Sequence, residues 1–344
     1  MNNLEKINIY VPEHIGHILE NDAFMFEILK KDGYTINKNK FLSLLILGYF
    51  DFYNTEYQKL SDALLQELDL ECLDQEKKIC IADNILKNVI LPSVPLRKGK
   101  NPIRLSLKPT KETQELILYI MNNLKGTDFI SQYFCRLFMS YCEKPFCIRE
   151  QILFKETYNF LQEACKDNRP IHFTTKWNPS KLHEVIPYKM AIGKEELFNY
   201  LVCAEYNEET GKQEAQCYRL NRINTVNYSG RLSTFLKETV THMEKMIKFG
   251  PQFSINDDDE TCVKLTEEGI ISYNRIYYGR PKIDHIEKKN DATFYYFNCS
   301  KTQLFLYFKK FNPGEAEVIY PFSLREKLIH FHKTTLDMYL GNES

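Results

Sequence analysis

The sequence predicts an α+β protein of two or three domains, and three observations carry that prediction. The order strand, proline, helix, turn, helix occurs twice, once from Ile7 and again from Ile103. An apolar strand at Asn199–Tyr206, a polar turn at Asn207–Gly211 and a second strand at Gln216–Ile223 make a hairpin. After Cys262, short alternating segments are interspersed with helical ones. At 344 residues the chain exceeds one typical domain, and 43% hydrophobic content with 23 Phe and 22 Tyr supplies packed cores.

Ile7, Ile9 and Val11 alternate with Lys6, Asn8 and Tyr10, which is the period of a half-buried strand. Pro12 suits the first turn of a helix running to about Lys30, and Gly33 centres the turn that follows. Asn37 stands where an N-cap belongs, ahead of a helix from Lys40 to Tyr53 that is apolar on nearly all sides. Tyr57–Leu68 and Gln75–Leu91 read as amphipathic helices, and Pro92–Pro102 as a loop holding Arg97, Lys98 and Lys100. Ile103, Leu105 and Leu107 then alternate with Arg104, Ser106 and Lys108, followed by Pro109. A helix carries Leu116, Ile117, Ile120, Met121 and Leu124 on one stripe. A turn at Lys125–Asp128 leads to a second helix with Phe129, Phe134, Phe138 and Tyr141.

A helix over Glu150–Asp167 and a strand over Ile171–Thr175 lead into the hairpin, and together these suggest a small β-barrel-like domain. Pro187 reads as a break before the hairpin. Strand alternation sets Tyr218 and Leu220 against Arg219 and Asn221, so one hairpin face should be core and the other should carry cations outward. Leu232–Phe249 reads as a connector helix and Asp257–Glu260 as an acidic linker. Strands at Cys262–Leu265, Thr293–Asn298, Gln303–Lys309 and Glu317–Tyr320, and a helix at Glu267–Tyr277, complete the tail. Its last helix opens at Ser323 with Glu326 three residues on, a capping-box pattern. The expected divisions are 1–148, 149–231, 232–254 and 255–344.

Composition excludes several classes. A net charge of −1 leaves any nucleic-acid site to local patches. The ten cysteines form no CxxC pair and no zinc-ligand spacing, so they read as reduced thiols of a cytoplasmic protein. Phe41–Phe50, the most apolar segment, is too short to span a bilayer. No GxSxG, HExxH, Walker or GxGxxG motif is present, so no enzyme activity is expected. His330 and His332 fall on different faces of a helix, and Asp257–Glu260 lacks the spacing of a calcium loop, so neither metal nor cofactor is expected.

Two cationic sets remain. Around the hairpin, Arg219, Arg222 and Lys189 would contact phosphates while Tyr188, Tyr200 or Tyr218 stack on bases, with His172 and Lys176 bordering the pocket. Against this, the tyrosines would equally serve as core and the arginines pair with Glu205 or Glu214. The second set, Arg97, Lys98, Lys100, Arg104 and Lys108, has no carboxylate until Glu112. With Lys6, Asn8, Tyr10 and Ser106 it would form a polar ribbon face, or else a merely solvated one.

The hairpin region resembles the WYL-domain family of prokaryotic regulators. The resemblance lies in Pro187, the Asn199-Tyr200-Leu201 motif and the closing Arg219–Ile223, with Asn199 replacing the family's tryptophan. It implies an SH3/Sm-like barrel that senses nucleic acid or nucleotide-like ligands. The repeated strand-helix-helix units resemble the ribbon-helix-helix fold, whose paired strands enter the DNA major groove. Whether these ribbons pair within one chain or between two stays open. The tail resembles the carboxy-terminal extension that follows WYL domains, and a ferredoxin-like arrangement is expected for it. The whole order is similar to that of the WYL accessory proteins of type VI-D CRISPR systems. That similarity implies a homodimeric, non-enzymatic protein that binds single-stranded RNA and enhances an RNA-guided CRISPR effector nuclease. Two other readings are a ligand-responsive transcriptional repressor binding duplex DNA through the ribbons, and an assembly scaffold.

Overall fold

The computed structural model describes residues 5–69, 74–91, 94, 102–124, 129–230, 234–289 and 292–341. The chain forms two compact units, Met1–Glu156 and Thr157–Ser344, and its architecture is mixed α and β with three antiparallel sheets.

In the first unit, β1 (Ile7–Val11) precedes α1 (Glu13–Met25), the long α2 (Lys38–Leu68) and α3 (Gln75–Ile85). Then come β2 (Ile103–Leu107), α4 (Lys111–Tyr119), α5 (Ile130–Cys142) and α6 (Phe146–Leu153). The two strands pair with each other, antiparallel, from Ile7 opposite Leu107 to Val11 opposite Ile103. The ribbon therefore forms within one chain. Its inner face buries Ile9, Val11 and Leu107. Asn39 of α2 clamps its end, donating to the Lys108 carbonyl at 3.1 Å and accepting from the Lys108 amide at 2.7 Å. α5 is the hub. Phe134, Leu137, Phe138 and Tyr141 have no exposed surface, and Tyr141 meets Tyr49 and Phe41 edge-on. Asp22 of α1 is buried and bonded by Arg149 and Tyr141.

Local chemistry accounts for the element boundaries. The Asn37 side chain caps α2, accepting from the Lys40 amide at 3.1 Å, and Thr110 and Thr113 form a reciprocal capping box on α4. The first helix stops at Met25 rather than near Lys30, because Glu27 turns left-handed (φ 56°) and Leu29 bridges to Ile36. Segments 40–53 and 57–68, expected as two helices, are one, since no glycine or proline separates them. Conversely, 150–167 divides at Phe154 into α6 and α7 (Lys155–Asp167).

The second unit holds β3 (Ile171–Thr175), β4 (His183–Ile192), β5 (Asn199–Asn207), β6 (Lys212–Arg219) and β7 (Ile223–Tyr228), followed by α8 (Lys237–Phe249). These strands form an antiparallel sheet in the order β6-β5-β4-β3-β7. Among the described residues β6 and β7 do not pair, so the ladder stays open where a closed barrel was expected. Pro187 does not break the chain. It lies inside β4, where the register shifts between Pro187 and Lys189, a bulge that tolerates the missing N–H.

The remaining elements are β8 (Thr261–Leu265), α9 (Glu267–Arg275), β9 (His285–Lys289), β10 (Ala292–Phe297), α10 (Lys301–Phe308), β11 (Ala316–Tyr320) and α11 (Phe322–Leu340). The sheet order is β11-β8-β10-β9. β8 and β9 run parallel with antiparallel β10 between them, and β10 and β11 run parallel with β8 between, two interleaved split β-α-β units. Segment 303–309, expected as a strand, is helical. Its apolar residues Leu304, Tyr307 and Phe308 follow helical spacing and are buried on that face. The last helix is capped by Pro321 without a side-chain bond, so the expected Ser323–Glu326 capping box is not formed.

Candidate nucleic-acid interface

The hairpin does not present one face outward. Residues 199–204 of β5 are all buried, so both faces of the strand are covered. Cross-strand partners share a face, and Arg219 opposite Tyr200 lies with Val202–Cys217 and Ala204–Ala215. That is the side packed against Met243 and Met246 of α8. The strand also ends at Arg219. Leu220–Arg222 is a 3₁₀ turn with Leu220 and Asn221 both buried, so Arg219 and Arg222 never share a strand face.

Each candidate tyrosine is bound to a carboxylate. Tyr218 donates to Glu205 and lies 2.8 Å from His183 Nδ1, while that nitrogen is 2.9 Å from Glu205. His183 in turn stacks on Phe173 at 5.5 Å. Tyr200 donates to Glu196 at 2.9 Å, and Tyr188, re-aimed by the bulge, donates to Glu244 of α8 at 2.7 Å. Burial pushes the Tyr218 and Tyr200 hydroxyls well above the usual tyrosine range, and the Glu244 bond raises Tyr188. Groups held this way brace the sheet, and the Tyr200 ring is buried as well. The Arg219 guanidinium sits 3.0 Å from the centroid of the Phe198 ring, a cation–π contact inside the fold. Glu205 and Glu214, the partners proposed for the arginines, take Tyr218 with His183, and Asn207 with Thr210. Lys189 is exposed.

Of the remaining three candidates, Lys176 and Arg222 meet through their backbones, and His172 lies further along the same strand. β3 pairs with the edge strand β7 so that His172 lies opposite Asn227 and Thr174 opposite Asn224. The Lys176 amide donates to the Arg222 carbonyl at 2.9 Å, which holds the end of β3 beside the 3₁₀ turn. His172, Thr174 and Lys176 alternate with the buried Ile171 and Phe173, forming an outward polar row next to exposed Asn224 and Asn227. The carboxylate across from His172, Glu184, accepts from Ser229 Oγ at 2.5 Å. By contrast, the 820 Å³ cavity at the β4–β5 end is lined by Glu184, Glu205, Glu208 and Glu209 with Lys181, a lining that repels phosphate.

In the first unit the ribbon's outer face shows Asn8 and Arg104 exposed and Tyr10 and Ser106 half-buried, with Lys6 and Lys108 exposed at its ends. Ser106 donates to Asn8 Oδ1 at 3.1 Å across the strands. Arg97, Lys98 and Lys100 lie outside the described residues.

One cluster was not legible in the sequence. Glu260, Asp284 and His285 each place a ligand-type atom within 4.8 Å of the others. His285 stacks on Tyr296 at 4.1 Å and its Nδ1 lies 3.2 Å from Asp284 Oδ2, which with Asn298 holds that carboxyl below its usual range. These contacts account for the closeness without an ion. The described cysteines form no disulfide. Burial pushes the thiols of Cys135, Cys142, Cys165 and Cys299 up to about 12 and that of Cys217 up to about 11, whereas Cys80 is exposed. A thiol reagent is therefore expected to modify Cys80 in the native protein and these five only on unfolding. Mass mapping of rapidly labelled native protein tests this, and fast labelling of the five would contradict the packing.

No family model matches the chain, and no curated protein matches it. Among solved structures, a CRISPR Cas-related protein is similar at 21% identity and a TM-score of 0.65, over 99% of this chain and 95% of that one. Proteasome accessory factor B/C of Arthrobacter aurescens overlaps 65% of this chain and 35% of its own, at 14% identity and a TM-score of 0.25, too low to carry weight. The first likeness is one of fold, and it spans both units.

Proposed function

We propose that this chain is a non-enzymatic, nucleic-acid-binding regulatory protein that binds single-stranded RNA and enhances an RNA-guided CRISPR nuclease, acting as a homodimer. The observation that carries the reading is the meeting of Lys176 and Arg222 at one end of the β3–β7 pair, with His172, Thr174, Asn224 and Asn227 along the same two strands. Amides, a hydroxyl, an imidazole and two cations in a row offer donors to phosphates and base edges, as single-strand binders require. The CRISPR context comes from the name of the fold neighbour and from the similarity of domain order to WYL accessory proteins. The intrachain ribbon supports a ribbon-helix-helix front end, the β6-β5-β4-β3-β7 order an SH3/Sm-like WYL core, and the split β-α-β order a ferredoxin-like extension.

Fluorescence anisotropy with single-stranded RNA across a salt series tests the reading. With Lys176 and Arg222 as phosphate contacts, log affinity should fall against log salt with a slope of about −1.4. Lys176→Ala with Arg222→Ala should weaken binding about tenfold or more and flatten the slope by about 1.4. Binding that is absent at low salt, or indifferent to the double substitution, would sink the proposal.

A second reading has its own observation. The ribbon pairs within the chain and presents Asn8, Tyr10, Arg104 and Ser106 on one face, the residue types that read the major groove. It requires duplex DNA binding tighter than RNA binding and lost on Asn8→Ala with Arg104→Ala, which the same assay measures.

A further inference from the structure

We infer that loop 276–282 is a second contact site for single-stranded RNA in which Tyr277 stacks on a base, an assignment that rests on the RNA-binding reading above. The loop follows α9 and leads toward β9, and Tyr277 is 77% exposed. Among the described residues its side chain makes no hydrogen bond and no ring contact. Only its backbone is engaged, the carbonyl accepting from the Arg280 amide at 3.3 Å.

The surroundings fix the turn that carries it. Gly279, third in the turn, is left-handed (φ 74°), as such a turn requires. Arg280 closes the loop onto α9, donating from Nη2 to the Asn274 carbonyl at 2.7 Å and from Nε to the Ile276 carbonyl at 3.2 Å. From α10, the Tyr307 hydroxyl donates to the Ile276 carbonyl at 2.9 Å and Lys310 Nζ to the Tyr278 carbonyl at 3.1 Å. Tyr278 is already committed, its hydroxyl donating to Glu196 and its ring centroid 5.5 Å from Lys310 Nζ. Tyr277 keeps its ring for solvent on an ordered backbone, so gripping a base immobilises only two side-chain torsions.

The charge around it favours an anionic partner. Residues 270–283 carry Arg275, Arg280 and Lys282, residues 298–314 carry Lys301, Lys309 and Lys310, and neither stretch holds a carboxylate. Asp257 and Asp259 neutralise Lys301, and Arg275 acts on Glu315. The ring contacts of Arg280, Lys309 and Lys310 leave their charges in place, and Lys282 is exposed without an ion pair. Facing them, Glu195 and Glu196 accept from the Gly279 amide and the Tyr278 hydroxyl, and Asp284 is held by His285. None of residues 276–282 lines the acidic cavity. An exposed ring on a loop whose own charges are all positive is the pattern by which proteins hold unpaired bases, since every base has a π face.

Anisotropy of labelled single-stranded RNA of about 30 nucleotides, long enough for two contact sites, is measured with the full-length protein. Tyr277→Ala is expected to bind about tenfold more weakly, and Tyr277→Phe nearly as well as the wild type, because the ring and not the hydroxyl stacks. Lys282→Ala should flatten the salt slope by about 0.7, separately from the contribution of Lys176 and Arg222. A duplex of equal length, whose bases are already stacked, should bind wild type and Tyr277→Ala alike. The Tyr277 side chain touches nothing in the fold, so its loss reads on binding and not on folding. Binding that Lys176→Ala with Arg222→Ala weakens, but that Tyr277→Ala and Lys282→Ala leave unchanged, would overturn the second site and leave the RNA-binding reading standing. Equal losses for duplex and single strand in Tyr277→Ala would overturn the stacking role. A changed sedimentation coefficient in Tyr277→Ala with unchanged RNA affinity would assign the residue to a protein contact instead. Absence of any RNA binding by the wild-type chain at low salt would remove the reading and the inference together.

Discussion

Asp22→Ala is expected to cost about 3–5 kcal/mol of stability in the first unit. Asp22 has no exposed surface and accepts three hydrogen bonds: from Arg149 Nε at 2.6 Å, from Arg149 Nη2 at 3.0 Å and from the Tyr141 hydroxyl at 2.9 Å. Burial pushes its carboxyl above the usual range, and the two partners pull it back. The pair ties α1 to the start of α6, while Arg149 also donates to the Lys144 carbonyl at 2.7 Å. Removing the carboxylate leaves a largely buried guanidinium and a buried hydroxyl without their acceptor, and that uncompensated charge dominates the loss. The controls follow from the same physics. Asp22→Asn keeps an acceptor and should cost less, whereas Asp22→Leu with Arg149→Met removes both charges and should recover most of the stability. Hydrogen exchange of the α1 and α5 amides is the measurement. A change below about 1 kcal/mol in Asp22→Ala would show that the ion pair is not what holds these helices.

Gly269→Ala is expected to destabilise the second unit by about 2 kcal/mol, against the usual sign for such a change in a helix. Alanine in a helix is ordinarily better than glycine by about 1 kcal/mol. At Gly269, however, a Cβ would sit 2.0 Å from the Glu315 carbonyl oxygen, which also accepts from the Thr266 amide at 3.2 Å. The obstacle is backbone at the entrance to β11, not a side chain that can rotate away, so overpacking at the upper end of its range, about 3 kcal/mol, outweighs the helical gain. Trp177 belongs to the same unit, so its emission follows the urea transition, and an unchanged midpoint would mean that α9 slides to make room. Gly48 makes the parallel approach in the first unit, its Cβ position 2.0 Å from the Ile152 carbonyl oxygen.

The limits of legibility show in particular residues. Period-two alternation at 7–11 and 103–107 was enough to locate both ribbon strands, since burial of one face is written into neighbouring residues. Leu304, Tyr307 and Phe308 satisfy helical spacing, yet the short aromatic run read as a strand, because segments of this length are ambiguous until their surroundings are known. In the hairpin, parity was correct as far as Arg219, but its consequence was not. A face that looks cationic in one strand was covered by α8, a helix reading as a mere connector.

By itself, then, the sequence determined where most strands and helices lie, the cap at Asn37, and the absence of catalytic motifs, all properties of neighbours along the chain. Only the tertiary structure decided that β1 pairs with β2 in the same chain, that Tyr188, Tyr200 and Tyr218 spend their hydroxyls on glutamates, and that Lys176 and Arg222 meet at one sheet end. The reason is physical. Local pattern specifies which face of an element must be buried, but the partner that buries it, and the polar groups left outside, depend on contacts between residues far apart in the chain.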